Sequence, residues 1–374
     1  MVKKNIFNAI ALIAGTTIGA GFLGMPYIVS KAGFLIGLAY LGIVGLFMLF
    51  VQLCLGEVIL RTKGNHHLVG YSDKYLGKKA KKIMLITIIF YIFSALVAYL
   101  IVVGQSLSYV FFQNFSYSLH FTIGFWVIMS LLSYMGLRAL KQFGKIGVIF
   151  IIILILSIFS IFFNSINPDN LTYIDLNHIF SPLGIVLFSY LSFSSMPAVE
   201  RLLLGKEKLM KKAIIIGTII PAICYFLFLL VVIGNFGLEV PEVATIPLGR
   251  GFTFLGVIAI FTSFLALNIS LRDMFRFDLR IKRIKSWAIC TIFPLIFFII
   301  IYLFNLATFV QILSIAGIVS GGVIGIMILL MNLKSKTKGK RNPEYCININ
   351  YLLISILSLI FISAVVIELI IRLG

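Results

Sequence analysis

The sequence predicts an all-α integral membrane protein of about eleven transmembrane helices, folded as a single transmembrane domain over residues 1–374. Three observations predict it. The chain is 61% hydrophobic and 11% charged, with a mean hydropathy of +1.13. A soluble domain carries about 25% charged residues, so lipid must be part of this chain's solvent. The apolar residues fall in runs of about 20, the length that crosses a hydrocarbon core as a helix. Basic residues sit between those runs, and nearly all fall on one side.

The spans read 6–28, 33–60, 83–112, 121–138, 146–164, 179–202, 212–236, 246–271, 286–304, 307–332 and 349–371. Span one follows Met1-Val2-Lys3-Lys4-Asn5, which resembles the charged start of a signal peptide. No small-x-small cleavage site follows, and the apolar run continues past Pro26, so the segment reads as a retained span. Spans two and three are long, and the polar loop 61–82 separates them. Between spans nine and ten, Asn305 is the clear polar break. With the N-terminus inside, 28 of the 31 Lys and Arg residues lie on the cytoplasmic side. Only Lys31, Arg250 and Arg372 lie opposite, with Asp169, Asp175, Glu239 and Glu242. A miscounted span would scramble this alternation, so the positive-inside rule supports both count and orientation. The expectation is a cell-membrane protein, N-terminus cytoplasmic and C-terminus outside, with 61–82 and 272–285 as the longest cytoplasmic loops.

The formal charge of +19 does not indicate nucleic acid, because its charges are dispersed in these loops. Cys54, Cys224, Cys290 and Cys346 show neither zinc nor disulfide spacing. His66, His67, His120 and His178 fall in loops or at span ends, without metal-ligand spacing, and are expected to be solvated. No phosphate-binding Gly–Lys motif appears.

Two spans should not be ordinary helices. Span one contains Gly15-Thr16-Thr17-Ile18-Gly19-Ala20-Gly21, then Gly24-Met25-Pro26. Glycine costs about 1 kcal/mol per residue in a helix interior. Either these small residues form a close-packing face, or the helix breaks and turns freed backbone groups toward a cavity. Span six reads Phe188-Ser189-Tyr190-Leu191-Ser192-Phe193-Ser194-Ser195-Met196-Pro197. Its serines either bond back along one kinked helix, or flank a break with Pro197 in the first turn of a new half-helix. One anomaly opens the first five spans and the other opens the next five. Interrupted helices at matching places in two halves point to inverted repeats and a transport site between them. The repeats would cover about 5–164 and 179–332, with 349–371 as an added helix.

At these residues the sequence resembles the amino acid/auxin permease group, with bacterial aromatic amino acid permeases, in the amino acid–polyamine–organocation superfamily. The matching segments are Gly15 to Pro26, Leu55-Gly-Glu-Val-Ile-Leu-Arg-Thr62 and, less closely, Ser192 to Glu200. The resemblance implies a five-plus-five inverted-repeat fold like that of the leucine transporter, working by alternating access on neutral amino acids, aromatic ones among them.

A zwitterionic substrate needs groups of both polarities, and full charges at bilayer depth are costly. Broken helix ends supply partial charges. The substrate carboxylate is expected at the backbone of Thr17, Ile18, Gly19, Ala20 and Gly21, beside Thr16. The ammonium is expected at the carbonyls of Phe188, Ser189, Tyr190 and Leu191, beside Ser192 and Phe193. Selectivity is assigned to Tyr91, Ser94 and Ala95 of span three, Tyr190 and Phe193 of span six, and Ser263 and Leu267 of span eight. Ala259, Thr262 and Ser263 share a helical face. By resemblance to sodium-coupled members of the fold, they would join the carbonyls of Gly15 and Ile18 around a Na+ ion. The alternative is two hydroxyls bonded to their own backbone. Some proton-coupled members that the sequence resembles place a lysine in span five; none stands between Gly147 and Asn164 here, which by that resemblance favours sodium, and the coupling ion stays open between the two. Glu57 beside Arg61 and Glu200 beside Arg201 are expected as ion pairs or gate elements, and Glu368 near Arg372 as structural.

The leading expectation is a secondary active transporter whose partners are an amino acid, a coupling ion and the bilayer, with no other cofactor and no covalent chemistry. A sensor on the same scaffold is the alternative. A membrane enzyme would need acids and histidines clustered at one depth, and a channel would need a filter-like repeat.

Overall fold

The computed structural model describes residues 2–64, 66–352, 354, 355, 359 and 363, with the side chains of 2–4 and 137–148 excepted. The described residues form helices α1 (Val2–Thr17), α2 (Gly21–Ala32), α3 (Phe34–Leu60), α4 (Leu68–Leu76), α5 (Lys78–Phe112), α6 (Ser118–Met135) and α7 (Leu137–Phe162). After them come α8 (Asp169–Thr172), α9 (Pro182–Ser189), α10 (Met196–Leu202), α11 (Met210–Phe236), α12 (Arg250–Phe277), α13 (Arg283–Phe304) and α14 (Phe309–Lys338). Among the described residues, eight helical segments are long and apolar enough to cross a membrane, and the bent pair α1–α2 adds a ninth. Helix α7 lies where span five was expected. Most of span eleven, including Glu368, lies outside the described residues.

Both expected interruptions are present. Helices α1 and α2 meet at 49° across Ile18-Gly19-Ala20. Helix α9 ends at Ser189, and α10 starts at Met196 after Tyr190-Leu191-Ser192 and a short 3-10 turn at Phe193–Ser195. Pro197 stands in the first turn of α10 and Pro182 opens α9, where a missing N–H costs nothing. The broken spans occupy the centre, between α3, α5, α11, α12 and α14. Helices α6 and α13 lie outermost, and their exposed apolar side chains, such as Leu131, Phe293 and Phe304, suit contact with lipid.

Several boundaries differ from the sequence reading for local reasons. Span eight starts at Arg250 rather than 246, because Gly249 takes φ +106° and closes a packed loop. In that loop Val240, Val243, Ala244 and Leu248 are buried, and the Ala244 amide donates to the Leu23 carbonyl (3.0 Å). It covers α2 on the side away from the N-terminus. Asn305 adopts a left-handed conformation (φ +48°) that ends α13. Thr308 and Gln311 then form a reciprocal capping box that starts α14.

The polar stretch 61–82 is not simply a solvated loop. It contains α4, which buries Leu68, Val69, Tyr71 and Tyr75 against the ends of α5 and α14. Asp278, just past α12, accepts from the amides of His67 (3.1 Å) and Gly70 (2.9 Å), so a carboxylate satisfies the open N-terminus of α4. Burial raises the Asp278 pKa, and those two amides oppose the rise. His67, expected in water, is buried and stacks on Phe277 at 6.2 Å. Burial, with Arg201 and His66 nearby, pushes its pKa down to about 3. Arg272 is likewise not in a loop. It is buried in the last turns of α12, donating to Asp273 (3.1 Å) and the Ser133 carbonyl (2.7 Å).

The segment after α14 is strapped across the same end. Glu57, fully buried in α3, accepts from Arg61 (2.8 Å), Asn332 (3.1 Å) and the Ile347 amide (2.7 Å). Tyr345 donates to the Leu53 carbonyl and Lys336 to the Ile347 carbonyl. The Glu57–Arg61 ion pair expected from the sequence therefore forms, as an anchor for this strap. No ion pair joins Glu200 to Arg201 among the described residues.

Removing one partner of a buried pair costs more than removing both. Arg61→Ala should therefore destabilise the protein by about 3 kcal/mol, and Arg61→Ala with Glu57→Leu by clearly less. Thermal unfolding in detergent checks this ordering; equal losses would refute the anchor. Burial holds His67 neutral, so its unfolded form binds a proton at a pH where the folded form does not. Its contribution is complete above about pH 6.5 and is lost as pH falls toward the folded value of about 3. Between pH 7 and 5, wild-type Tm should fall more than that of His67→Phe. Parallel curves would count against it.

Candidate functional site

Breaking a helix inside a membrane frees backbone groups that must find partners. At both breaks those partners are side chains from neighbouring helices. The Tyr225 hydroxyl, from the middle of α11, lies 2.7 Å from the Thr17 carbonyl and 2.9 Å from the Ser189 carbonyl. Its single proton is shared between the ends of α1 and α9. Gln52 of α3 donates to the Tyr190 carbonyl (3.0 Å) and is held by Thr218 of α11 (2.7 Å). Tyr91 of α5 donates to the Leu191 carbonyl (2.8 Å).

The two breaks also touch directly. A Cβ at Gly21 would stand 2.3 Å from Ser189 Oγ, so only glycine fits there. At Gly19 a Cβ would stand 2.2 Å from the Tyr99 hydroxyl of α5, which also meets the backbone of Ala20. The structure thus brings residues 16–21 and 188–193 together, as a shared site requires. Tyrosine hydroxyls face both halves. Of the carbonyls expected to receive an ammonium, those of Ser189, Tyr190 and Leu191 accept from Tyr225, Gln52 and Tyr91, and that of Phe188 accepts from the Leu191 amide.

The side chains divide into two groups. Thr16, Thr17, Ser189 and Ser195 bond back to backbone carbonyls three or four residues earlier. Tyr190 turns toward α3, donating to the Leu41 carbonyl (3.1 Å). Phe188 lies against Tyr91, with ring centres 5.7 Å apart. Ala95, Phe193 and Leu267 are buried, and Ser94 is partly so. Ser192 Oγ is buried with no partner among the described residues.

Helix α12 meets the first break from the other side. Ser263 Oγ lies 3.0 Å from the Gly15 carbonyl and 3.0 Å from the Ile18 carbonyl. Thr262 bonds to the Ala259 carbonyl (3.0 Å). Gly15, Ile18 and Ser263 are therefore in contact, with the Ala259–Thr262 pair on the same stretch of α12.

Tyr225, Gln52 and Tyr99 were not singled out from the sequence. Each carries a polar group in mid-span, where a hydrogen-bond partner is obligatory. That signal was readable, but the partner was not. A cavity lies on the N-terminal side of the breaks, lined by α1, α10, α12 and His67.

The fold is shared with the crystal structure of MhsT in complex with L-phenylalanine. That chain is 17% identical with a TM-score of 0.59, and the match covers 98% of this chain and 97% of that one. The chain is also similar to "Glutamine transporter 2" of Aliivibrio fischeri, at 23% identity over 239 residues, 62% of this chain and 61% of the relative. It resembles "Tyrosine-specific transport system 2" of Haemophilus influenzae at 26% identity over 236 residues, 61% of this chain and 58% of the relative. The matched region thus spans less than two thirds of either relative. The model of the tryptophan/tyrosine permease family matches residues 2–246 and 247–370. The chain belongs to the tryptophan/tyrosine permease family.

Proposed function

We propose that the protein is a secondary active transporter that carries neutral amino acids, aromatic ones foremost, across the cell membrane by alternating access. The observation that carries this reading is the Tyr225 hydroxyl between the carbonyls of Thr17 and Ser189, at the meeting point of two broken spans. Its bonds are local and replaceable. A substrate ammonium offers the same carbonyls a stronger donor, and the backbone of Ala20 and Gly21 offers amides to its carboxylate once Tyr99 swings aside. Tyr91, Phe188, Tyr99 and Phe264 line the neighbourhood, and aromatic rings suit an aromatic side chain. The relatives' names, tyrosine and glutamine transport, support this substrate class. The same motifs favour a place in the amino acid/auxin permease group.

The conformation supports alternating access. The loop 240–249 covers α2 on one side, while the cavity lies on the other. In the orientation favoured by the basic residues, the cavity side and the N-terminus are cytoplasmic.

For coupling, a sodium ion fits the donor set of Gly15 and Ile18 carbonyls, Ala259 carbonyl, and the Thr262 and Ser263 hydroxyls. All are neutral oxygens, which suit a hard cation. Ser263 already touches two of them. With the ion bound, its proton would turn away and its lone pair would join the carbonyls. Proton coupling is the alternative.

Purified protein in proteoliposomes should accumulate labelled L-tyrosine, L-phenylalanine or L-tryptophan under an imposed ion gradient, and Thr262→Ala should abolish the sodium-driven part. Accumulation driven by protons alone would keep the transporter and discard the sodium site. Failure to move any of these, or glutamine, would refute the transport reading. Orientation has its own check, because Cys346 is exposed while Cys54, Cys224 and Cys290 are buried. A membrane-impermeant maleimide should label Cys346 in inside-out vesicles and spare it in intact cells. The reverse pattern would invert the topology.

A further inference from the structure

Two helices bring basic first turns side by side on the outside of the bundle. Helices α5 and α13 pack against each other, and Phe93 of α5 meets Phe293 and Phe297 of α13 with ring centres 6.2 and 6.1 Å apart. Lys81, in the first turn of α5, lies close enough to Asp278 to oppose the rise in its pKa, and Asp278 stands just before α13. The two helices therefore start at the same end and run parallel. Lys82 precedes Phe93 by eleven residues, and Lys282 precedes Phe293 by eleven. Eleven residues make about three turns and a rise of about 16 Å. The two lysines thus share one depth, each below the ring that joins its helix to the other.

Lys79 joins Lys82 on the Phe93 face of α5, and Lys285 heads the face of α13 that carries Ile292 and Ile296. Lys79, Lys82, Lys282 and Lys285 are all exposed, and none has a carboxylate within ion-pair distance among the described residues. The nearby acids are engaged elsewhere, Asp73 with Lys81 (2.7 Å) and Asp278 with the amides of His67 and Gly70. Aromatic contact therefore draws α5 and α13 together in mid-span, while like charges oppose each other at their shared end. A bias of basic residues toward one side explains lysines between spans. It does not explain two helix ends that meet at one depth with no acid between them. Directly above the lysines the exposed side chains are apolar, with Ile86 and Phe90 on α5 and Ile292 and Ile296 on α13. Trp287 and Tyr134, with ring centres 5.7 Å apart, lie at the same end, as aromatic residues do at a membrane interface.

We propose that an anionic phospholipid sits across the ends of α5 and α13, its phosphate between Lys79 and Lys82 on one side and Lys282 and Lys285 on the other. Its acyl chains lie along the exposed isoleucines and phenylalanines above them. The phosphate supplies the negative charge that the protein lacks there, the chemistry by which basic pockets between membrane helices hold acidic head groups. A free phosphate would meet the same ammonium groups and gain nothing from the apolar face. Helix α5 also brings Tyr91 and Tyr99 to the breaks, so the lipid steadies the helix that carries two of their polar partners. This seat is independent of the transport reading.

The test uses the full chain purified in a neutral detergent, with Tm followed as phosphatidylglycerol is added. Phosphatidylglycerol should raise Tm saturably, and phosphatidylcholine or inorganic phosphate should not. The pair Lys82→Gln and Lys282→Gln, one charge from each helix, should need about tenfold more phosphatidylglycerol for the half-maximal rise, the scale of one to two screened charges at a membrane surface. Lys82→Arg with Lys282→Arg should stay near wild type. Lys211→Gln with Lys212→Gln removes two exposed charges from the start of α11 instead, and should leave the wild-type response unchanged. Without lipid, Lys82→Gln with Lys282→Gln should unfold no earlier than wild type, because it removes charges that repel each other. Four results would overturn the seat: no rise with phosphatidylglycerol, an equal rise with phosphatidylcholine or inorganic phosphate, equal losses in the two glutamine pairs, or a lower lipid-free Tm in the Lys82 and Lys282 pair.

Discussion

The structure depends on the shared hydrogen bond that Tyr225 makes to the carbonyls of Thr17 and Ser189. Two helices stop in the middle of the protein, at Thr17 and Ser189, both buried. Each stop leaves carbonyls and amides whose burial without partners would cost several kcal/mol. One phenolic hydroxyl serves two of these carbonyls at once. Gln52 and Tyr91 serve the next two, and Ser263 serves two more on the other face of the first break. The breaks persist because α3, α5, α11 and α12 each bring a polar group to them.

Side-chain partners differ from helical partners in one respect that matters. A helix hydrogen bond is lost only when the helix unwinds, whereas a tyrosine or serine can rotate away and leave its carbonyl in place. The breaks therefore combine fixed backbone with replaceable caps. The glycine contacts tighten this arrangement, since Gly19 and Gly21 admit the Tyr99 and Ser189 hydroxyls to positions a side chain would fill. A ligand with an ammonium and a carboxylate can compete for the same carbonyls and amides, the physical content of the proposed transport site.

The two ends of the bundle are built differently. Opposite the N-terminus, the loop 240–249 packs on α2 through apolar side chains and one backbone bond to Leu23. At the N-terminal end, buried charge does the holding: Glu57 anchors the strap after α14, Asp278 caps α4, and Arg272 joins α12 to the end of α6. Charged contacts of this kind are specific in geometry and costly to break. They frame a cavity whose own arginine, Arg201, has no carboxylate within ion-pair distance among the described residues.

The sequence by itself determined the membrane class, the order of the spans and the places where two of them break. These are local or periodic properties. An apolar run either is or is not long enough to cross, and a cluster of glycines, serines and proline weakens a helix wherever it stands. The Glu57–Arg61 pair was equally legible, because four residues make one turn. Other features were beyond a one-dimensional reading. That α4 is a buried helix depends on Asp278, about 200 residues later, reaching its N-terminus. His67 is buried because Phe277 covers it, and Arg272 because the end of α6 offers a carbonyl. Above all, which donor would satisfy each freed carbonyl was decided by tertiary packing. Tyr225, Gln52 and Tyr99 look alike in sequence, as single polar groups among apolar neighbours. Only the fold shows that they converge, because hydrogen bonds act over about 3 Å and residues so far apart in the chain meet only when the helices pack.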